Sequence, residues 1–313
     1  MPSIGLISNP NSGTNKKQLA AINRIVADYP KIHHFITRSA SDISSALSVL
    51  QKKGVKTLAI NGGDGTTAAI FTRLFTDTPF PVMPEIALLP GGTTNMNVGD
   101  VGLHSNLLKA IDSLCNISTE KSLPEKVERP ILQVTYDSPT KTIYGMFFGA
   151  GAIIQGIEYC HKNGHSPGIA MARTIWGLMR NDSRFAQPVD IKIRFDPENI
   201  AREYETLLFF SSTLEKLLLG LQPYWGKQPG QLHNTLITAK PKKFIRALPA
   251  LLRGKPSASI LQSSSYFSNN SQHIDLEMDS LFTLDGEIYL ADSKTGRISI
   301  TATAPLTFLR SGK

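Results

Sequence analysis

The stretch "LAINGGDGTTAAI", Leu58–Ile70, decides the fold. Five mostly apolar residues run straight into Gly62-Gly63-Asp64-Gly65-Thr66, and an apolar, helix-compatible run follows. A short apolar run closed by glycines reads as a buried strand, a tight connection and then a helix. One or two glycines are enough for a turn. Three imply that something approaches the backbone closely, because glycine has no Cβ to hold it off.

The same unit recurs on both sides of this stretch. "SIGLIS" (3–8) reads as a buried strand, "NPNSG" (9–13) as a turn cluster, and "NKKQLAAINRIVADY" as a helix with Leu19, Ile22, Ile25 and Val26 on one face. "HHFITR" is a second strand, and "SASDISSALSVLQKKG" a helix opened by Ser or Asp and ended by Gly54. "KTLAI" is the third strand, and "EIALLP" (85–90) a fourth, ending in "GGTTN". Strand, loop and helix repeated in this way predict an α/β domain with a parallel sheet covered by helices. After about residue 122 the segments become β-rich and separated by turn residues, which predicts a second, mostly antiparallel domain. Two helical stretches interrupt it, Pro167–Asn181 and one around Lys242–Leu252, where Pro249 is expected to break a regular helix. The domains are therefore set at 1–123 and 124–304, with a closing segment, 305–313.

The chain has 313 residues, 41% hydrophobic and 19% charged, which is a globular and not a disordered composition. Its 33 Lys+Arg against 25 Asp+Glu give +8, which favours anionic partners. The opening "MPSIGLISNP" lacks the layout of a signal peptide, and the apolar run Leu217–Leu221 is far short of the roughly 18 residues of a membrane span. Cys115 and Cys160 are too few for a disulfide framework or a zinc site. His33, His34, His161 and His165 show no metal-ligand spacing. The expectation is a soluble, cytoplasmic protein in a reducing compartment, with nucleic acid disfavoured because the basic residues are not interleaved with aromatics on one face.

Three loops follow predicted strands: Asn9–Gly13, Gly62–Thr66 and Gly91–Asn95. In a parallel sheet all three lie at the carboxyl edge, where ligands of open α/β sheets bind. Backbone N–H groups and helix N-termini there can hold phosphate, aided by Ser and Thr hydroxyls. There is no GxxxxGK[ST], and no GxGxxG at the first turn, so neither a Walker A loop nor an ordinary dinucleotide dehydrogenase fits. Asp64 is the carboxylate of this set. A carboxylate beside phosphate calls for a cation, so Asp64 is the expected magnesium ligand of a phosphoryl-transfer site. An Asx-turn aspartate is the alternative.

"NPNSG", "GGDGT", "PGGTTN" and the late "LDGEIY", in this order, resemble the catalytic domain of the diacylglycerol kinase and sphingosine kinase superfamily, whose fold is shared with NAD kinases. The resemblance covers the first hundred residues, thins from about 126 to 280 and returns at "LDGEIY". It implies an α/β nucleotide domain followed by a β-sandwich-like domain, with the last segment packing back on the first. It also implies ATP as donor, Mg2+, and a lipid alcohol such as diacylglycerol as acceptor. By residue-for-residue matching, Asn9, Ser12, Gly13, Gly62, Gly63, Gly65, Thr66 and Thr93 contact the nucleotide, Thr37 lies near its adenosine, and Asn95 holds the third loop. Asp64 positions magnesium, and Glu287, with Asp285 beside it, accepts the acceptor's proton. For Asp285-Gly286-Glu287 the residues alone read as a hairpin turn. The chain departs from the family where Thr67-Ala68-Ala69 replaces an Asn-Glu pair and Met96 replaces an Asp. "QPGQLHNTLI" lacks the Asp of a second, structural magnesium site, so none is expected. An NAD kinase-like enzyme with a soluble acceptor, and a catalytically silent nucleotide- or lipid-binding protein, stay open as alternatives.

Two basic amphipathic stretches suit a water-insoluble acceptor. One combines Ile169, Met171, Ile175, Trp176, Leu178 and Met179 with Arg173, Arg180 and Arg184; the other combines Phe244, Ile245, Leu248, Leu251 and Leu252 with Lys240, Lys242, Lys243, Arg246, Arg253 and Lys255. Such stretches lie on anionic bilayers, or else pack as ordinary helices with charges in water. The expectation is transient contact with an anionic membrane surface at the inner face, with a homodimer left open.

Overall fold

The computed structural model describes all residues except 1–2, 78–79, 137–140, 164–166, 181, 183–184, 186, 197–199, 292–295 and 311–313. His165, Asn181 and Arg184 lie outside the described residues, as do the side chains of Cys160, His161 and Met179. The chain divides into two compact units, Met1–Arg129 with Ala304–Lys313, and Pro130–Thr303.

The first unit runs β1 (Ile4–Ser8), α1 (Asn15–Ala27), β2 (Ile32–Ile36), α2 (Ala40–Lys52), β3 (Thr57–Gly62), α3 (Asp64–Thr76), β4 (Glu85–Pro90), α4 (Met96–Val101), α5 (Leu107–Ser118) and β5 (Glu125–Arg129). Its sheet has the order β2-β1-β3-β4, then the chain's last strand, Leu306–Arg310, then β5. The pairs among β1 to β4 are parallel, the last strand is parallel to β4, and β5 is antiparallel to the last strand. All residues of β1 and β3 are buried, as a sheet covered on both faces requires. Ile4, Leu6, Ala59, Ala87 and Leu89 pack with Ile22 and Val26 of α1 and Ile111 and Leu114 of α5. The opposite face carries Leu47 and Leu50 of α2 and Phe71 of α3, whose ring meets Phe308 edge-on at 6.3 Å. Helix α2 begins with a reciprocal capping box between Ser39 and Asp42. Just past its end, Gly54 sits in the left-handed conformation. The first unit runs on to Arg129, because β5 pairs along its whole length with the last strand.

The second unit contains β6 (Leu132–Tyr136), β7 (Lys141–Gly145), β8 (Phe147–Gly151), α6 (Ala152–Asn163), α7 (Pro167–Met179), β9 (Val189–Phe195), β10 (Ala201–Ser212), β11 (Leu232–Thr238), α8 (Phe244–Leu252), α9 (Ala258–Leu261), β12 (Tyr266–Ser271), β13 (His273–Glu277), β14 (Leu281–Leu284), β15 (Glu287–Leu290) and β16 (Arg297–Ala302). Its strands form one antiparallel sheet, in the order β15-β14-β8-β10-β9-β13-β16-β6-β7, with β11 and β12 added at β10. The expected sandwich is made by this one sheet folding over itself. Tyr136 of β6 meets Phe282 of β14 at 5.2 Å and Tyr289 of β15 at 6.0 Å, although β6 stands next to the opposite end of the strand order.

Helix α6 follows β8 without a break after Gly151, which takes a left-handed φ of 70°. This helix lies within a stretch whose β-rich pattern predicts none. Helix α8 keeps Pro249 in its interior, contrary to expectation. The carbonyl that Pro249 cannot bond belongs to Ile245, which is exposed, so water can serve it. The closing stretch "RISITATAPLTFLR" forms two strands in two sheets, parted at residues 303–305.

Candidate functional site

The three glycine loops meet at the carboxyl edge of the first unit's sheet. Asn9 Nδ2 donates to Thr66 Oγ1 at 2.8 Å, and the Gly63 N–H donates to Ser12 Oγ at 3.3 Å, which joins the first loop to the second. Thr14 joins the first loop to the third, its N–H donating to the Gly91 carbonyl and its hydroxyl to the Gly92 carbonyl. Asn15 is fully buried, and its Nδ2 donates to the carbonyls of Asn9 and Asn61. Asn61, also fully buried, donates to Ser8 Oγ, which His34 Nε2 meets at 2.8 Å. Asn15 and Asn61 went unnoticed in the sequence, where each is one polar residue beside a loop.

The glycines serve close approach and not unusual dihedrals. Gly13, Gly62, Gly63, Gly91 and Gly92 all lack a positive φ. A Cβ on Gly92 would stand 2.4 Å from Gly63 Cα, and one on Gly13 would stand 2.4 Å from Thr93 Oγ1. The second and third loops therefore touch backbone to backbone.

Two helices start at this edge with no side-chain cap. Gly63 is the N-cap of α3, and Thr14, whose hydroxyl is spent on Gly92, is the N-cap of α1, where the amides of Asn15 and Lys16 are already taken by the carbonyls of Gly91 and Ser12. The first N–H groups of a helix have no partner within it and carry partial positive charge. In α3 the first intrahelical acceptor is the Gly63 carbonyl, taken by Thr67, so the amides of Gly65 and Thr66 lie ahead of the ladder. With Ser12 and Thr66 hydroxyls and Asn9 Nδ2 beside them, this edge can hold an anion with several oxygens.

Asp64 sits differently from expectation. Its carboxylate is buried, with Oδ2 accepting the Met96 N–H and Oδ1 the Asn97 N–H, each at 3.0 Å. It thus supplies the N-terminal cap of α4 that Asn95, left-handed at φ 50°, does not provide. Burial raises the Asp64 pKa above the ordinary carboxylate value, and the amides of Asn97, Met96 and Asp64 itself pull against that rise. Asn95 instead closes its own loop, exchanging hydrogen bonds with Gly92 at 2.9 and 3.0 Å. Thr37 is buried at the end of β2, its N–H on the Ser8 carbonyl. Among the described residues no three His, Cys, Asp or Glu side chains come together. A buried carboxylate already engaged by two amides does not fit a direct magnesium ligand. Magnesium commonly enters such sites on phosphate oxygens and keeps its waters.

In the second unit, Asp285 and Gly286 both have positive φ, 50° and 89°, and link Leu284 to its partner Glu287. That is a two-residue hairpin turn of the primed kind, as the residues alone suggested. Asp285 is buried, and its carboxylate accepts the N–H groups of Met146 and Phe147, each at 3.0 Å. It fastens the turn to the β7–β8 connection and is not free for proton chemistry. Glu287 is exposed, with no ion pair among the described residues. A groove of about 420 Å3 opens on the same unit between Lys192, Arg194, Asp275, Glu277 and Arg297. Its charges largely pair with one another, Lys192 with Glu277 at 3.1 Å and Arg194 with Asp275 at 3.9 Å, so it is no match for a charged substrate.

Residues 3–123 match the family model of the diacylglycerol kinase catalytic domain. A curated relative, the Probable lipid kinase YegS of Salmonella arizonae, is 31% identical over 106 residues, which is 34% of this chain and 35% of that protein. The match thus spans about a third of the relative's length. Among solved structures, a chain assigned as a diacylglycerol kinase from Bacillus anthracis Sterne is 18% identical at a TM-score of 0.66, covering 98% of this chain and 96% of that one. A second diacylglycerol kinase structure from the same organism gives 18% and 0.61 over the same shares. At that identity the likeness speaks for the fold alone.

Proposed function

From the match of residues 3–123 to the diacylglycerol kinase catalytic domain family, we propose that the chain is an ATP-dependent lipid kinase. The observation that carries the proposal is the meeting of three glycine loops around the N-terminus of α3, where the amides of Gly65 and Thr66 lie ahead of the helical ladder. In this reading the amides of Gly65 and Thr66, the hydroxyls of Ser12, Thr66 and Thr93, and Asn9 Nδ2 hold the polyphosphate of ATP. Thr37 borders the adenosine. Asp64 is a positioning residue that fixes α4 and the third loop against α3. Magnesium, when present, comes with the nucleotide and neutralises phosphate charge. Asp285 holds the β14–β15 turn, and the exposed carboxylate of Glu287 is the proposed proton acceptor.

The proposed reaction is a single displacement. The acceptor's hydroxyl oxygen bonds to the γ-phosphorus, the bond from that phosphorus to the β–γ bridging oxygen breaks, ADP leaves, and the hydroxyl proton passes to Glu287. Diacylglycerol or a related lipid alcohol is the proposed acceptor. Loss of the family's carboxylates at Ala69 and Met96 leaves Asp64 as the carboxylate that ties the second loop to the third.

The test is phosphate transfer from γ-labelled ATP with magnesium to diacylglycerol, monoacylglycerol, ceramide and sphingosine in mixed micelles, with NAD as a soluble arm. A labelled lipid supports the proposal and names the acceptor. Labelled NADP in its place would overturn the lipid reading. ATP binding with no labelled product would mark a silent binding protein.

A further inference from the structure

The net charge of +8 is not spread along the chain. Between Glu215 and Asp275 there is no acidic residue, and the stretch holds Lys216, Lys227, Lys240, Lys242, Lys243, Arg246, Arg253 and Lys255. These eight cations equal the whole excess, so the rest of the chain balances at 25 against 25. The last six flank or sit within α8. All six are exposed, and none forms an ion pair among the described residues.

Helix α8 is apolar nearly all round. Arg246 is the one polar residue in Phe244–Leu252, yet Ala247 and Leu251 are the only buried ones. These two pack with Leu178, Phe185 and Tyr266, which fixes that side of the helix to the unit. Ile245 is 59% exposed, and Leu248, Pro249 and Leu252 are not buried either. An ordinary surface helix shows water a polar face. This one shows apolar side chains, with exposed cations on the helix and on both flanking segments. A neighbouring loop is held against the end of the helix. Gln222 donates its N–H to the Leu252 carbonyl, and Gly254, left-handed at φ 63°, lies so close that a Cβ would stand 2.3 Å from the Tyr224 carbonyl oxygen. The loop held in this way exposes Leu219 at 73%, and α9, next along the chain, exposes Leu261 at 58%.

We propose that α8 with its flanking residues is a docking face for an anionic phospholipid bilayer, with Ile245 and Leu248 entering the interface and Lys242, Lys243 and Arg246 on the headgroups. Charge decides the occupant. An apolar helix face alone fits any hydrophobic partner, but six unpaired cations around it oppose burial in a protein interface and favour a surface of negative headgroups with apolar chains beneath. Of the two basic stretches in the sequence, this selects the second. The face is built from second-unit residues alone, and binding needs neither ATP nor an acceptor, so it stands or falls apart from the kinase reading.

The experiment is co-sedimentation of the full chain with vesicles of phosphatidylcholine alone or mixed with phosphatidylglycerol, without nucleotide. The expected result is binding to the mixed vesicles only, weakened by salt. Each basic residue near an anionic surface is worth roughly fivefold in partitioning. Joint substitution Lys242→Gln, Lys243→Gln, Arg246→Gln should therefore lower binding about a hundredfold. Ile245→Ser should lower it about tenfold. The matched control Lys52→Gln, Lys53→Gln, Lys56→Gln removes the same charge from the first unit and should change binding little. Circular dichroism of each variant separates lost binding from lost fold. The proposal is overturned by equal binding to neutral vesicles, by no binding to either, by equal losses in the two triple variants, or by tight binding to duplex DNA with none to vesicles.

Discussion

Asp64 Oδ1 accepts the backbone N–H of Asn97 at 3.0 Å, across 33 residues of sequence, while Oδ2 accepts Met96. One side chain at the start of α3 thereby caps α4 and fixes the third glycine loop against the second. Asp64→Ala strands both amides and should cost about 1–3 kcal/mol of stability. Asp64→Asn keeps one acceptor but turns an NH2 group toward the other amide, and should lie between the two. Urea unfolding reads the stability and nucleotide titration the site. Wild-type stability in Asp64→Ala would show that the cap does not hold α4.

Two glycines separate contact from conformation. Gly92→Ala places a Cβ 2.4 Å from Gly63 Cα, a backbone atom that cannot swing aside, so both stability and ATP affinity should fall. Gly99→Ala in α4 meets nothing within 4 Å and should raise stability by about 0.5–1 kcal/mol. Thermal melts with and without ATP distinguish the pair. Equal effects would mean that loop contact is not what the glycines provide.

Asp285 and Glu287, two residues apart, should behave oppositely. Glu287 is exposed, so Glu287→Gln should leave thermal stability unchanged while lipid phosphorylation falls at least a hundredfold, the low end for a general base. Asp285→Ala leaves the Met146 and Phe147 amides unpaired and should destabilise the second unit by about 1–3 kcal/mol. Full activity in Glu287→Gln would remove it from the mechanism.

His34 gives a pH dependence. Burial lowers its pKa from 6.5 to about 4, and Nε2 faces Ser8 Oγ. Below pH 6.5 the unfolded chain takes up a proton there that the folded chain refuses. Stability should therefore decline from pH 6.5 to about 4, by up to about 3 kcal/mol, and stay flat in this respect above 6.5. His34→Gln should flatten that decline in urea midpoints measured across the range. An unchanged slope would place the acid sensitivity elsewhere.

The loops were legible because their signal is local. Glycine runs at the ends of buried apolar strands mark close approach wherever they occur, and the strand–loop–helix repeat puts them on one edge. The sandwich was legible only as alternation. That one sheet folds over itself rests on Tyr136 meeting Phe282, a contact 146 residues apart that no window of sequence contains. Helix α6 was missed because Ala152-Ile153-Ile154 continues the apolar run of β8, and periodicity cannot divide a run that short.

Read alone, the residues set the α/β order of the first unit, the glycine loops, the Asp-Gly hairpin and the resemblance to the kinase family over the first hundred residues. Those are set by local propensity, spacing and turn chemistry. Tertiary structure alone decided what the carboxylates do. Asp64 and Asp285 are each spent on two backbone amides brought from distant residues, and Glu287 is left in water. A carboxylate's role depends on which donors reach it and how far water is excluded, and both are properties of the packed chain.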